Sequence, residues 1–246
     1  RHGAILENIT FKKDTRTVDF SDKSRTENTR VSYPINYIDN ALKKSVGHAP
    51  KNIFFLTYDA FGVLPPISKL NVGQAMYFFL SGFTSKVAGT EAGITEPQTT
   101  FSACFGAPFL PLYPTEYASL LGEKLRNSNI HVLLLNTGYT GGAYGVGKRM
   151  SLPHTRALIV DALSGDLDKV EYEIHPVFGV SVPKNCPNVP SEILNPRNGW
   201  KDKAAYDLKA NELAVSFNKN FEKFADKAEK EILEAAPKAR EIANSK

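Results

Sequence analysis

Two stretches limit the fold more than any others: "NIFFLTYDAFG", beginning at Asn52, and "IHVLLLNTGYTGG", beginning at Ile130. Each is a short uninterrupted apolar run that ends in polar and glycine residues. Runs of this kind suit strands buried on both faces. The expected fold is therefore α/β, a mixed sheet with flanking helices. In such sheets ligands collect at the carboxyl ends of the strands, which directs attention to Asp59 and to the segment from Asn136 onward.

Other elements follow from spacing. Ile5, Ile9 and Phe11, then Val18 and Phe20, show partial period-two alternation around the polar "KKDTR", predicting two strands and a turn. Tyr117, Leu120, Leu121 and Leu125 fall on one helical face after Pro114, and Tyr206, Ala210, Leu213, Phe217, Phe221 and Phe224 recur every three or four residues. These aromatics are expected in the core. A helix over 155–163 is also expected. The proline-punctuated "HPVFGVSVPKNCPNVPSEILNPRNGW" reads as a strand followed by a long surface loop, and the stretch from about Asp226 as a solvated helix.

Composition narrows the function classes. With 246 residues, 42% hydrophobic and 23% charged, the chain has ample material for a core and does not suit disorder. A net charge of +4 without a long basic run makes nucleic acid a weak partner. The two cysteines, Cys104 and Cys186, allow neither a disulfide framework nor a zinc quartet and favour a reducing compartment. No apolar run approaches the roughly 18 residues of a membrane span. "GAILENITF" begins as if in mid-fold, so a fragment is expected, and the final "NSK" is not a peroxisomal-type address, leaving the cytoplasm as the expected location.

"GGAYGVGKR" holds Gly142, four residues, then Gly147 and Lys148, matching the glycine and lysine part of a phosphate-cradling loop after a buried strand. Arg149 stands where that motif needs a magnesium-binding hydroxyl, and Pro153 is expected to interrupt the helix whose amides would hold phosphate. A glycine-rich surface loop is the plainer alternative. The histidines, His2, His48, His131, His154 and His175, form no pair at metal-binding spacing, and no nucleophile elbow occurs. Arg30, in "TENTRVSYPI", lies where a guanidinium can project from a strand start into a cleft and grip two oxygens of one anion; the competing interpretation is a surface salt bridge.

"ENTRVSYPI", "DAFGVLPPIS", "FLSGFTSKVAGTEAGITEPQTTFSACFGAPF", "NTGYTGGAYGVGKRMS" and "ILNPRNGW" occur in this order. Together, from about Gly3 to beyond Trp200, they resemble the C-terminal portion of the ATP-dependent phosphoenolpyruvate carboxykinase family. The resemblance implies that 1–246 is the C-terminal part of that fold's mononucleotide-binding domain, with a lid loop at about 86–97 and a helical C-terminal segment at about 203–245. It implies a reaction in which oxaloacetate is decarboxylated and phosphorylated by ATP, giving phosphoenolpyruvate, CO2 and ADP. Arg30 would be catalytic and lie against the γ-phosphate and substrate. Arg149, Met150 and Thr155 would border the ATP adenine, with Met150 replacing the family's usual isoleucine. Gly89, Thr90, Glu91, Gly93 and Thr95 would belong to the lid, whose glycines absorb backbone change and whose closure keeps water from the enolate.

The family's phosphate loop, metal ligands and oxaloacetate-gripping arginine have no counterpart among these residues. Mg2+ and Mn2+, together with the missing N-terminal half as partner, are therefore expected from outside this chain. Two alternatives stay open: an independent phosphate-loop NTPase using residues 142–149, and a non-catalytic interaction domain.

Overall fold

The computed structural model describes residues 2–22, 24–25, 29–86 and 96–240. The chain divides into two units, residues 1–49 with 86–98, and residues 50–85 with 99–246. The described part of the smaller unit includes β1 (Ile5–Glu7), β2 (Thr10–Phe11), β3 (Val18–Asp19) and β4 (Arg30–Ser32). β2 and β3 form the expected antiparallel hairpin, with Phe11 opposite Val18. Ile5 lies instead in β1, which pairs antiparallel with β4 and sets Glu7 opposite Arg30. Local side chains hold this region: Thr10 Oγ1 donates to Asp22 at 2.6 Å and the Ser21 hydroxyl to Asp19 at 2.6 Å. No described residue from 2 to 49 is buried.

The rest of the described chain runs through β5 (Asn52–Thr57), β6 (Ile67–Leu70), α1 (Val72–Ser81), β7 (Phe83–Lys86), β8 (Gln98–Phe101), α2 (Pro114–Arg126) and β9 (His131–Asn136). It continues through β10 (Tyr139–Thr140), β11 (Lys148–Arg149), α3 (Leu152–Ser164), β12 (Tyr172–Ile174) and β13 (Ser181–Pro183). The helices α4 (Ser191–Leu194), α5 (Pro196–Gly199), α6 (Lys203–Ala225) and α7 (Lys230–Glu234) complete it.

The two apolar runs are β5 and β9, and they pair in parallel from Asn52 opposite His131 to Thr57 opposite Asn136. They form one side of a mixed five-stranded sheet, in the order β12, β13, β6, β9, β5, with β6 antiparallel to β9. Burial on both faces explains why β9 shows no alternation. Val132 and Leu134 enter one buried cluster with residues of α1, α2 and α6, while Leu133 and Leu135 enter another with Leu158 and Ala162 of α3. Successive strand side chains point to opposite faces, so two covered faces require apolar residues at every position.

α1 begins with a reciprocal cap in which the Asn71 side chain accepts from Gln74 N and the Gln74 side chain accepts from Asn71 N. All six periodic residues of α6, from Tyr206 to Phe224, are buried as the spacing predicts. Tyr77 of α1 stacks on Phe221 of α6 with ring centroids 4.5 Å apart. Burying each such ring contributes about 1.5–3 kcal/mol.

Three expectations need correction. Residues 175–200 are not a surface loop, because Phe178, Val180, Cys186, Val189 and Leu194 are all buried. The expected helix over 155–163 starts earlier, at Leu152, and Pro153 occupies its first turn, where the missing N–H is not needed. The C-terminal segment is not one solvated helix to 245: α6 ends at Ala225, α7 is short, and its Ile232 is fully buried. Beyond α7 the chain is tied down by hydrogen bonds from Lys238 N to Val177 O and from Arg240 N to Asn211 Oδ1.

Candidate functional site

The carboxyl ends of β5 and β9 are knit together by side chains of the polar residues that end each run. Asn136 Oδ1 accepts from Asp59 N and Gly138 N, and its Nδ2 donates to Leu64 O at 2.9 Å. Thr57 Oγ1 donates to Phe83 O at 2.7 Å. Asp59 is fully buried, and its carboxylate accepts from Phe61 N, Val63 N and Leu64 N at 2.7–2.8 Å. Burial pushes its carboxyl above the usual carboxylate range and the amide donors oppose that shift. Asp59 thus lies in the expected region but presents its carboxylate to backbone, not to a cleft.

From Gly138 the chain forms a hairpin in which Tyr139 faces Arg149 and Thr140 faces Lys148. Gly62 packs against it so closely that a Cβ there would lie 2.2 Å from Gly142 O. This geometry is not a phosphate cradle. Lys148 lies in a strand, and α3 begins only at Leu152, capped by Ser151. The strand–loop–helix arrangement that aims helix amides at phosphate is therefore absent from this stretch.

Arg149 is exposed, and its Nε donates to Thr137 O at 3.3 Å. Its Cζ lies 4.9 Å from the centre of the Tyr58 ring, a cation held over an aromatic face. Tyr139 meets Tyr58 edge-on at 6.3 Å and Tyr144 at 5.6 Å. No further partner is recorded for the Nη groups of Arg149 among the described residues. Met150 is buried and its N donates to Gly138 O at 2.8 Å. Thr155 is buried in α3, where its hydroxyl donates to Ser151 O at 3.2 Å. A cleft of about 290 Å³ lies beside the hairpin, lined by Thr140, Gly141, Val146, Lys148, Ile193 and Gly199 among others. That volume suits one ring system better than a whole nucleotide.

Arg30 belongs to the smaller unit. It starts β4, is exposed, and forms no ion pair with the Glu7 opposite it, so the surface salt bridge that competed with an anion-binding role is not seen among the described residues. Gly89, Thr90, Glu91, Gly93 and Thr95 lie outside the described residues. Among the described residues no group of three or more His, Cys, Asp or Glu is arranged to hold a metal, and no helix is long and apolar enough to cross a membrane.

Comparison with known proteins gives these positions a context. The phosphoenolpyruvate carboxykinase family profile, of the ATP-dependent type, matches residues 1–192. The chain belongs to that family. It is 63% identical over 237 residues to the phosphoenolpyruvate carboxykinase (ATP) of Flavobacterium johnsoniae, covering 96% of this chain and 44% of the relative. The proteins of that name from Christiangramia forsetii and Thermus thermophilus are 61% and 55% identical, each over 96% of this chain and 44% of their own length. The chain therefore spans less than half the length of these family members. Arg30, Arg149, Met150 and Thr155 all fall within the matched 1–192.

Sequence reasoning missed the aromatic side of the site. Tyr58, Tyr139 and Tyr144 surround Arg149, yet tyrosines scattered through "TYDAFG" and "NTGYTGGAYG" carry no spacing signal of their own. Trp200 was also missed; its Nε1 donates to Gly62 O at 2.9 Å.

Proposed function

We propose that this chain supplies one part of the active site of an ATP-dependent phosphoenolpyruvate carboxykinase. The observation that carries this is 63% identity over 237 residues to a protein of that name. In the reaction oxaloacetate is decarboxylated to an enolate, and the enolate oxygen takes the γ-phosphoryl group of ATP to give phosphoenolpyruvate, CO2 and ADP. Positioning and charge neutralisation dominate such a transfer. Arg30 is the catalytic residue on this chain: its planar fork lies against the γ-phosphate and substrate, where a well-aimed donor contributes about 3 kcal/mol or more to the transition state. Its lack of an ion-pair partner on β1 supports that role.

Arg149, Met150 and Thr155 border the adenine side of ATP. The exposed guanidinium of Arg149, the tyrosines around it and the small cleft beside β11 fit a flat heteroaromatic ring. Gly89, Thr90, Glu91, Gly93 and Thr95 form a lid that keeps water from the enolate. Mg2+ and Mn2+ neutralise phosphate and enolate charge when bound. Their ligands come from the portion of the relatives that this chain does not span, in keeping with the lack of a three-ligand cluster among the described residues. Exposed Ile5, Phe20, Leu42 and Val46 give that same portion an apolar surface to cover. The setting is the cytoplasm.

The test joins this chain to the upstream portion of a family member and measures oxaloacetate-dependent formation of phosphoenolpyruvate and ADP. The joined protein is expected to turn over and the 246-residue chain alone to be inactive. Turnover by the chain alone, or an inactive joined protein that is properly folded, overturns the proposal.

A further inference from the structure

A buried carboxylate without a cation is costly to maintain unless it is fully hydrogen-bonded. Asp59 is 0% exposed, and no ion pair to it occurs among the described residues. Its two oxygens take the N–H groups of Phe61 at 2.8 Å, Val63 at 2.7 Å and Leu64 at 2.8 Å. The carbonyls of this segment are used elsewhere. Asp59 O accepts from Tyr139 N and Ala60 O from Tyr144 N, both at 2.8 Å. Gly62 O, Val63 O and Leu64 O each accept at 2.9 Å, from Trp200 Nε1, Tyr206 OH and Asn136 Nδ2. Tyr139 and Tyr144 belong to the hairpin that ends in Arg149, and Tyr139 is the strand partner of Arg149 itself.

We propose that Asp59 is a positioning residue: by fixing the backbone of residues 59–64 it holds the 139–149 hairpin, and so holds the Arg149 guanidinium over Tyr58. The consequence for nucleotide binding rests on the role of Arg149 given above. Asp59 touches no reacting atom and acts only through the hairpin.

Two measurements decide this. In the unaltered protein, the amides of Phe61, Val63, Leu64, Tyr139 and Tyr144 should exchange with solvent as one opening unit. Independent exchange of the hairpin amides overturns the proposal, and this measurement needs no variant to fold. Asp59→Asn keeps the side-chain volume but turns an N–H2 toward amide donors. It should speed exchange at Tyr139 and Tyr144 at least about tenfold more than at Leu133 and Leu134 of β9. Emission of Trp200, the single tryptophan, should shift to the red as its bond to Gly62 O loosens.

The joined protein then gives a cycle with ATP as probe. Asp59→Asn should weaken ATP binding about tenfold in the Arg149 background and by little in an Arg149→Ala background. Equal weakening in both backgrounds assigns Asp59 a merely structural role and overturns the proposal. Failure of the nucleotide role looks different: Arg149→Ala alone leaves ATP affinity unchanged while the exchange pattern is intact.

Discussion

Residues 2–49 and the larger unit are held by different forces. The larger unit has two buried clusters, one on each face of its sheet. Residues 2–49 have no buried residue, and Ile5, Phe20, Leu42 and Val46 are each about 70% exposed or more. Their visible bonds are local, such as Ser21 to Asp19 across two positions. Apolar burial, worth about 25 cal/mol per Å², is thus available to one region and unrealised in the other. The two candidate cations divide accordingly. Arg149 is carried on a hairpin locked to the sheet ends, whereas Arg30 is carried on a short strand with no core beneath it. One is set in advance; the other gains its order from whatever covers the apolar surface around it.

The largest effect tests the less supported cation. In the joined protein, Arg30→Ala should lower turnover by about a thousandfold or more, the scale of losing a catalytic arginine. Thermal stability should not change, because the side chain has no ion-pair partner among the described residues to lose. Arg30→Lys should recover little, since an ammonium cannot bridge two oxygens as a planar fork does. Turnover within tenfold of the unaltered protein removes Arg30 from the chemistry.

The rigid side of the comparison is tested at Gly138. A Cβ there would lie 2.1 Å from Asp59 O and 2.5 Å from Asp59 N, both backbone atoms that cannot swing aside. Gly138→Ala should therefore destabilise the larger unit by more than about 3 kcal/mol, at the upper end of overpacking costs. Denaturant unfolding followed by Trp200 emission measures it. A loss below about 1 kcal/mol means that the sheet ends can part, and Arg149 is then no better fixed than Arg30.

What the sequence could carry was set by the length scale of each signal. β5, β9 and α6 were readable because a strand between two covered faces and an amphipathic helix leave repeating patterns over six residues or more. Residues 175–200 were misread because their order comes from single contacts. His175, Phe178 and Leu194 are buried one at a time between prolines, with no period to reveal them. Pro153 misled for a related reason: proline either breaks a helix or opens one, and only the position of Ser151 as cap decides which. At the site, Arg30 and Arg149 were found through family wording. Asp59 was found through its place at a strand end, but its hydrogen bonds reach residues up to five positions ahead in a turn that composition does not specify.

Acid should separate the two regions. His175 is buried, and burial lowers its pKa from 6.5 to about 4. Its Nδ1 accepts from Val177 N and Phe178 N, and Tyr206 OH donates to Val63 O, so Nε2 carries the proton and donates to Tyr206 at 2.9 Å. Above pH about 6.5 both folded and unfolded states hold this histidine neutral, and its stabilisation is complete. As pH falls from about 6.5 toward 4 the unfolded chain binds a proton that the folded one refuses, so the larger unit loses on the order of 3 kcal/mol. Asp19 and Asp22 in the smaller unit behave otherwise. Hydrogen bonds from Ser21 and Thr10 hold their carboxyls below the ordinary 3.8, so their contribution persists above that value and is lost only as pH falls below it. Residue-resolved amide exchange at pH 7, 5.5 and 4.5 should show the larger unit weakening while the β2–β3 hairpin does not. A flat profile for the larger unit, or its loss in parallel with the hairpin, contradicts the buried neutral His175.

The smallest expected effect is the sharpest check on the contrast between the regions. Gly47, in the smaller unit, has nothing within 4 Å of where a Cβ would stand, and its φ is not in the left-handed range. Gly47→Ala should then change stability by less than about 0.5 kcal/mol, with any shift on the stabilising side because alanine narrows the unfolded chain. The same one-carbon addition that disrupts Gly138 would pass unnoticed here, since it meets backbone in one unit and open space in the other. In the joined protein the expectation sharpens further. If the upstream portion covers the apolar surface near Leu42 and Val46, Gly47→Ala becomes measurable there while remaining silent in the chain alone. A loss above about 1 kcal/mol in the chain alone means that residues 42–47 already pack against something, and the smaller unit then has a core of its own.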